Sequence, residues 1–327
     1  MDKLLITSSP HIRSNTNVQS IMRDVIIALL PAVAMGTYLF GIRALLVVLV
    51  SAAACVFFEW GYRRMMKKNS TIHDLSAAVT GVLLGLCMPP SIPYWVPVIG
   101  AFFAIVVVKQ LYGGIGKNFL NPALAGRCFL FSWPVLMTTW MEPLSYGSGF
   151  FKLNQLDAVT GATPLAAMAQ GELPELSLVD CLVGIKGGSI GEVSAIALIL
   201  GGAYLLYRGV INLRIPGSYV LTVAVLTFLF PQGNPRFVWM AYQLLSGGLM
   251  IGAMFMANDY ATSPTTKKGQ IIYGIGCGAL TVFIRYFGSY AEGVSFAILI
   301  MNVCTWLIDK YTLPRRFGVV REKKEAK

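Results

Sequence analysis

Ten stretches of apolar residues recur along the 327-residue chain, separated by shorter polar segments. A helix needs about 20 apolar residues to cross the hydrocarbon core of a bilayer, so the pattern predicts ten membrane helices. Several stretches are short or contain Gly and Pro, which is typical of helices broken beside a site. We therefore expect an all-α integral membrane protein. The predicted helices lie near residues 22–40, 43–60, 75–90, 94–111, 120–138, 190–207, 215–231, 238–257, 270–287 and 293–310.

Basic residues cluster between the apolar stretches, and their positions predict the orientation of the chain. Membrane proteins retain Lys and Arg on the cytoplasmic side. With ten helices and a cytoplasmic N-terminus, every cluster falls on that side. The clusters are Arg63, Arg64, Lys67 and Lys68; Lys109 and Lys117; Arg208 and Arg214; Lys267 and Lys268; and Arg315, Arg316, Arg321, Lys323, Lys324 and Lys327.

Composition supports a membrane protein and argues against nucleic acid as a partner. The chain is 56% hydrophobic and 13% charged, whereas ordinary globular proteins have roughly 45–50% apolar and about 25% charged residues. The net charge of +11 is explained by cytoplasmic retention of the basic clusters. Residues 1–20 are polar and precede an apolar stretch of spanning length, so we expect no cleavable signal peptide.

One long hydrophilic segment falls on the side opposite the basic clusters, and it is acidic. The sequence therefore predicts five parts. They are a cytoplasmic N-terminal segment (1–21), a first half of five helices (22–138), an extracytoplasmic loop (139–189), a second half of five helices (190–310) and a basic cytoplasmic tail (311–327).

The two halves contain a faint repeat. Ser76–Met88 resembles Gln243–Phe255, and Gly81 and Gly85 fall opposite Gly248 and Gly252. The matched helices would cross the membrane in opposite senses, so the repeat would be inverted, with its site at the broken helices. The alternative is that any two glycine-rich apolar helices look alike.

The extracytoplasmic loop contains Asp157-Ala-Val-Thr160-Gly161-Ala162-Thr163-Pro164. It resembles the flavinylation motif D-x-x-[S/T]-G-A-T, in which the last threonine receives FMN through a phosphoester bond. Thr163 offers the hydroxyl, Gly161 and Ala162 keep the backbone slim, and Pro164 favours an extended Thr163. Asp157 is a candidate for binding the transferase's metal or holding the loop. The alternative is a polar turn.

With the ten helices, this motif makes the chain resemble the family that contains the D subunit of the Rnf complex and the B subunit of the sodium-translocating NADH:quinone reductase. Two further stretches carry the resemblance, Ser8–His11 and Gly116–Arg127. The short N-terminal segment and Thr160 favour the Rnf branch. The resemblance implies an inverted-repeat fold shared with urea and ammonium channels, covalent FMN and a noncovalent riboflavin. It also implies a six-subunit redox pump in a prokaryotic inner membrane, with the FMN-bearing G subunit and the A and E membrane subunits as partners, and maturation by a flavin transferase.

The family resemblance implies that the riboflavin lies at the Gly116–Arg127 stretch, with Lys117, Asn118 and Asn121 as candidate contacts. Asn amides can donate to and accept from the pyrimidine edge of a flavin. The alternative is that Asn121 caps the fifth helix, with Pro122 at its first position. Both roles are compatible.

Ionisable residues at membrane depth are costly and mark candidate ion paths. Asp24, Arg127 and Glu192 lie in or near the predicted helices, and Asp74, Asp259 and Glu292 lie at helix ends. Asp259 ends a glycine-rich helix among oxygen-bearing side chains and is the ion-path candidate. Its alternative role is to cap the next segment or pair with Lys267. We interpret nearly all of the six cysteines as small buried residues, and His11 and His73 as surface residues rather than ligands of a metal. The alternative for one cysteine is a cluster shared with another chain.

The resemblance implies an electron-transfer subunit of an ion-translocating ferredoxin:NAD oxidoreductase, which would couple electron flow to Na⁺ or H⁺ transport and would not be a complete enzyme alone. No residue is assigned a catalytic role, since the redox chemistry belongs to the flavins. Ferredoxin and NAD sites are expected on partner chains. The alternatives are the B subunit of the quinone reductase, a solute channel or transporter, and a structural scaffold. Only a flavin-carrying subunit accounts for Thr163.

Overall fold

The computed structural model describes residues 16–143, 163–288 and 292–314, and the long elements in these ranges are helices. The first half begins with two long helices and ends with shorter ones. They are α1 (Val18–Phe40), α2 (Ile42–Met65), a 3₁₀ turn (Ile72–Asp74), α3 (Ser76–Leu86), α4 (Trp95–Phe102) continued by a π-helix (Phe103–Gln110), α5 (Pro122–Leu130) and α6 (Pro134–Met137).

Two short helices follow from the long loop, α7 (Pro164–Ala169) and α8 (Leu178–Val183). The second half again mixes long and interrupted helices. They are α9 (Ala195–Tyr207), α10 (Arg214–Leu229), α11 (Arg236–Leu245), α12 (Leu249–Ile251) continued by a π-helix (Gly252–Met256), α13 (Lys267–Phe287) and α14 (Val294–Thr312). Each of the ten predicted stretches contains a helix.

Helix length separates the elements into two groups. In the described ranges α1, α2, α13 and α14 are long and apolar enough to cross a membrane, and α11 with α12 and its π-helix forms a fifth candidate bent by 62°. The apolar helices α3, α4 with its π-helix, α9 and α10 are shorter. The prediction of a helical membrane protein is confirmed, and the number of ten crossings stays a prediction.

Local sequence explains where several helices start and stop. Asn17 and Ser20 form a capping box that starts α1. Gly41, with φ of 81°, separates α1 from α2, a conformation that glycine adopts without a steric cost. Gly247, with φ of 72°, lies at the break between α11 and α12. The interruptions therefore follow from glycine and capping chemistry in the sequence.

Glycines bring helices into close contact in the core. A Cβ on Gly81 would lie 2.5 Å from Cα of Ala52, and one on Gly85 would lie 2.8 Å from Cα of Val48, so α3 packs directly on the backbone of α2. Small residues allow such close approach in membranes.

The glycines that the repeat aligned with Gly81 and Gly85 pack differently. Gly248 faces Glu292, and Gly252 faces Val294 at the start of α14. However, α1 contacts α9, and these correspond to the first predicted membrane helix of each half. Likewise α5 contacts α14, and these correspond to the fifth predicted helix of each half. The inverted repeat stays a prediction that the helix pairing supports and the glycine packing does not.

The described basic clusters gather at one end of the bundle, which we call the basic end. Arg208, after α9, pairs with Asp24 near the start of α1 at 3.1 Å. Arg214, at the start of α10, donates to Gln270 near the start of α13 at 3.2 Å. The Arg63 guanidinium, near the end of α2, lies beside the loop that follows the first π-helix. This arrangement agrees with the shared side predicted for the clusters.

The opposite end, which we call the loop end, holds α7, α8 and the segment before α9. The Ile190 and Gly191 amides donate to the Met88 and Leu86 carbonyls at 3.0 and 2.7 Å, which fixes that segment against the end of α3. Helices α7 and α8 pack on α11 through a small separate core. Its buried members are Leu165, Met168, Cys181, Trp239 and Tyr242.

Candidate functional site

Thr163, the candidate flavin carrier, lies at the loop end as the N-cap of α7. Its Oγ1 accepts a hydrogen bond from the Ala166 amide at 3.2 Å, and Pro164 is the first residue of the helix. Its backbone is extended, with φ of −71° and ψ of 149°, as the following proline predicts. The capping bond uses an oxygen lone pair and leaves the hydroxyl proton to donate. The other motif residues, Asp157, Thr160, Gly161 and Ala162, lie outside the described residues.

Thr163 opens onto a cavity of about 460 Å³ that we call the loop-end cavity. Aromatic and apolar side chains form much of its wall, and two carboxyl groups face it. The lining residues are Phe131, Thr138, Trp140, Thr163, Leu165, Glu192 and Glu292. A flat aromatic group carried on Thr163 has both an apolar wall and polar partners within reach here.

A buried ion pair joins the two halves of the chain, and its carboxylate, Glu292, lines the loop-end cavity. Arg127, on α5, donates from Nη1 to Glu292 Oε1 at 2.8 Å and from Nη2 to Oε2 of the same carboxylate. Arg127 is 1% exposed and also donates to Ser295 Oγ at 3.2 Å. Glu292 accepts from the Gly248 amide at 3.2 Å. The pair therefore connects α5 with the starts of α12 and α14.

Two further cations occupy the carbonyl groups left unpaired at the break between α11 and α12. Arg285 donates to the Gln243 and Ser246 carbonyls at 2.6 and 3.1 Å, and Lys186 donates to the Leu245 carbonyl. Cations at the carboxyl end of a helix interact favourably with its unpaired carbonyls. Neither residue was singled out from the sequence. Arg285 lies within an apolar stretch, where a charged side chain is costly, and this position could have identified it from the sequence.

The basic end contains a larger cavity of about 800 Å³, the basic-end cavity. Its wall is mainly apolar and includes Val25, Leu83, Met254 and Phe255. Its polar lining residues include Ser76, Thr80, Lys109, Asn118, Asn121 and Asp259. The structure thus brings two of the riboflavin candidates and the ion-path candidate to one cavity. Lys117 is not among its lining residues.

Asn121 performs the capping role that the sequence allowed. Its Oδ1 accepts from the Ala123 and Leu124 amides at 3.0 and 3.2 Å, and Pro122 is the first residue of α5. Its Nδ2 donates to the Met256 carbonyl of the second π-helix at 3.1 Å. Asn121 therefore fixes the start of α5 against the other half of the chain.

Asn118 is less constrained. Its Nδ2 donates to the Leu120 carbonyl at 3.0 Å, and its Oδ1 accepts no hydrogen bond from the described part of the chain. Asn118 is buried and lines the basic-end cavity. Its amide oxygen is therefore the more available of the two asparagine groups for a ligand.

A second buried ion pair borders the basic-end cavity. Lys109, at the end of the first π-helix, donates to Glu59 Oε2 on α2 at 2.6 Å and to Ser76 Oγ on α3 at 2.7 Å. Glu59 also accepts from Thr71 Oγ1 at 2.5 Å. Lys109 was assigned from the sequence to a cytoplasmic basic cluster with Lys117, and Glu59 was not singled out. Lys109 and Glu59 are 50 residues apart in the sequence, so only the packing of their helices identifies the pair.

Asp259 caps the turn that follows the second π-helix. Its carboxylate accepts from the Ala261 amide and from Thr262 Oγ1, each at 3.3 Å, which is the capping alternative predicted for it. Burial raises the pKa of Asp259 above the usual range of an aspartate, and Lys109 opposes that shift. Its role in an ion path stays a prediction.

The two cavities lie at opposite ends of α5. Asn121, Pro122 and Ala123 line the basic-end cavity, and Phe131 lines the loop-end cavity. The rise from residue 122 to residue 131 is about 14 Å at 1.5 Å per residue. A cofactor at each end would be separated by little more than one short helix.

The remaining candidate ligands are dispersed. Within the described ranges, no group of three or more His, Cys, Asp and Glu side chains is arranged to hold a metal ion. Cys55, Cys87, Cys181 and Cys277 are buried, and Cys128 and Cys304 are partly buried, which agrees with their interpretation as small packing residues. His73 is exposed, and His11 lies outside the described residues.

Buried charge pairs, helices interrupted inside the bundle and a cavity at each end define a helical membrane protein with a polar functional interior. Over residues 5–318 the sequence matches the NQR2, RnfD, RnfE family, and the chain belongs to that family. This result confirms the resemblance carried by the Thr163 motif and the helix pattern.

Several relatives match the chain over nearly its full length. It is 48% identical to the D subunit of the Na⁺-translocating ferredoxin:NAD⁺ oxidoreductase complex of Acetobacterium woodii, with 99% of this chain and 98% of the relative covered. It is 44% identical to the D subunit of the proton-translocating complex of Clostridium ljungdahlii, with 97% and 96% covered. It is 36% identical to the D subunit of the ion-translocating oxidoreductase complex of Halorhodospira halophila, with 97% and 96% covered.

Proposed function

We propose that this chain is the D subunit of an ion-translocating ferredoxin:NAD⁺ oxidoreductase complex and carries FMN on Thr163 through a phosphoester bond. The observation that carries the proposal is the position of Thr163. Thr163 lines the loop-end cavity together with Phe131, Trp140 and Glu292, and Arg127 pairs with Glu292. Near full-length similarity to the D subunits of such complexes supports the assignment.

The residues of the loop-end cavity suit a flavin. Phe131, Trp140 and Leu165 offer apolar contact to the ring system, and Thr138, Glu192 and Glu292 offer polar contacts at its edges. When bound, FMN supplies reversible electron transfer. In this proposal the FMN lies at the end opposite the basic clusters, so electrons from the cytoplasm would have to cross the membrane to reach it.

We further propose that riboflavin binds in the basic-end cavity. Asn118 offers an available amide oxygen, and Asn121 positions the start of α5 beneath it. The position at the other end of α5, about 14 Å away along the helix, supports electron transfer between the two flavins. Lys117 is at most a peripheral contact, since the cavity wall does not include it.

The coupling ion is not assigned by similarity. The Acetobacterium woodii relative is named for Na⁺ and the Clostridium ljungdahlii relative for protons, at 48% and 44% identity. Asp259, which caps a turn and lines the basic-end cavity, is the ion-path residue that we propose for this chain. The reported relatives are all oxidoreductase subunits, which favours this function over a solute channel.

The covalent flavin is tested by producing the full chain with its flavin transferase and running it on a denaturing gel. We expect a fluorescent band and a mass increase equal to bound FMN, both abolished in Thr163→Val. Thr138→Val removes a hydroxyl from the same cavity and should keep both signals. A dark wild-type band, or fluorescence that persists in Thr163→Val, would contradict the proposal.

The riboflavin site is tested by extracting noncovalent flavin from purified protein. Asn118→Leu should lower the riboflavin content at least several-fold, because it removes the available amide oxygen, and should leave the covalent FMN in place. Lys117→Gln, the adjacent residue outside the cavity wall, is the matched control and should retain riboflavin. Equal loss in both variants would mean that this cavity is not the site.

A further inference from the structure

Among the buried carboxyl groups that the structure describes, Glu192 at the loop end has the fewest partners. It is 7% exposed and lines the loop-end cavity beside Thr163. Ser189 Oγ donates to its Oε2 at 2.8 Å. Its Oε1 accepts no hydrogen bond from the described residues. A buried carboxylate without a cation partner is costly unless the group can change its charge.

The other buried carboxylates are better compensated. Glu59, Glu292 and Asp24 each have a cation within 3.1 Å, and both carboxylate oxygens of Asp259 accept hydrogen bonds. Glu192 forms no ion pair within the described ranges. This contrast separates Glu192 from the carboxylates that hold the structure together.

The groups around Glu192 have opposite effects on its protonation, so either charge state can be stabilised. Burial and the neighbouring carboxylate favour the protonated form, and three cations favour the ionised form. The titratable and charged groups that act on Glu192 from the surrounding elements are Glu292, Lys186, Arg127, Arg285 and Cys87. With Glu192 ionised, the three cations and two carboxylates leave the cluster with one net positive charge.

We propose that Glu192 binds and releases a proton at the loop-end cavity, and that this protonation is coupled to the reduction of the flavin carried on Thr163. The coupling rests on the proposed function, whereas the proton site does not. When an electron arrives from a reduced redox partner in the complex, the Glu192 carboxylate takes up one proton, and the added positive charge balances the added electron. When the electron leaves for an oxidised partner, the carboxyl group releases the proton.

This coupling has a defined sign. An ionised Glu192 repels an electron in the adjacent cavity through a medium of low dielectric constant, so it lowers the midpoint potential of the flavin. A protonated Glu192 does not. Because coupling between two sites is reciprocal, the electron raises the proton affinity of Glu192 by the same factor. Glu192→Gln mimics the protonated form and can still accept a hydrogen bond from Ser189.

The proton site is tested without flavin, by infrared spectroscopy of Thr163→Val during a pH titration. We expect a carboxylic C=O band from a buried carboxyl group that disappears in Thr163→Val combined with Glu192→Gln. Glu172→Gln, which removes an exposed carboxyl group at the same end, is the control and should retain the band. If Glu192→Gln leaves the spectrum unchanged, the proton site is wrong.

The coupling is tested by redox titration of the covalent flavin in the full chain. Glu192→Gln should raise the midpoint potential at alkaline pH, and the difference from wild type should vanish at acidic pH. Glu192→Asp should retain the pH dependence. A constant difference at all pH values would contradict the coupling, and a difference that follows sodium concentration instead of pH would assign a cation in place of the proton.

The two proposals fail in distinguishable ways. A wild-type chain without covalent flavin contradicts the proposed function and the coupling, and the infrared band then decides the proton site by itself. Covalent flavin retained in Glu192→Gln shows that the variant folds and is modified. The potential measured in that variant therefore tests the coupling alone.

Discussion

The Lys109–Glu59 and Arg127–Glu292 pairs stand at opposite ends of the bundle and are built differently. Lys109 and Glu59 belong to the same half of the chain, and their side chains are 4% and 1% exposed. Arg127 and Glu292 come from different halves, and their side chains are 2% and 17% exposed. The Lys109–Glu59 pair is therefore shielded from solvent and lies within one half of the chain. The Arg127–Glu292 pair is partly exposed to its cavity and joins the two halves.

This difference suggests a separation of tasks. At the basic-end cavity, α5 contacts the other half through the neutral hydrogen bond from Asn121 to the Met256 carbonyl, whereas at the loop-end cavity α5 contacts the other half through the Arg127–Glu292 ion pair. A charged contact next to Thr163 responds to a change of charge in the loop-end cavity, because unscreened charges interact over longer distances in a low-dielectric interior. A neutral contact does not. The loop end is accordingly where we expect charge transfer to affect the contact between halves.

The largest loss of stability is expected for Lys109→Met. Removing the lysine leaves the carboxylate of Glu59 buried, with the Thr71 hydroxyl as its one remaining partner among the described residues. Breaking a buried ion pair in this way costs about 3–5 kcal/mol. Thermal unfolding in detergent measures the loss. Adding Glu59→Gln should recover much of it, since no unpaired charge then remains. A double variant as unstable as Lys109→Met would contradict the assignment of the cost to charge.

A smaller loss is expected for Arg127→Met. Glu292 keeps the Gly248 amide as a donor and is 17% exposed at the cavity, so hydration offsets part of the lost ion pair. The same thermal unfolding assay measures the loss. Arg127→Lys should be intermediate, because lysine keeps the charge but cannot form the two-point contact. If Arg127→Met proved more destabilising than Lys109→Met, solvent exposure would not be what sets the cost of breaking these two ion pairs.

The smallest of the three losses is expected for Asn121→Ala. Loss of an N-cap side chain costs about 1 kcal/mol, with the lost bond to the Met256 carbonyl in addition. Asn121→Ser keeps a capping hydroxyl and cannot reach in the same way to that carbonyl. Thermal unfolding of both variants, with riboflavin content as a second readout, separates capping from contact between halves. Identical behaviour of Ala and Ser would rule out a contribution from the cap.

Several residues of the candidate sites could be predicted one by one from the sequence, whereas the ion pairs beside them could not. Thr163, Asn118, Asn121 and Asp259 each follow from a local pattern, and the structure places the last three at one cavity. The contacts that give the site its charge join distant parts of the chain. Arg127 and Glu292 are 165 residues apart, and Lys109 and Glu59 are 50 apart.

The sequence by itself determined that the chain is a helical membrane protein, since lipid accepts long apolar segments only when their backbone groups are paired within a helix. It also determined local events, such as the cap at Asn121 before Pro122 and the extended backbone of Thr163 before Pro164. Only the tertiary structure decided which buried charges meet, where α11 and α12 are stabilised at their break, and that Glu192 faces the cavity of Thr163 without an ion pair to the described residues. Those outcomes depend on packing between helices that are distant in sequence, and such packing leaves no periodic signal along the chain.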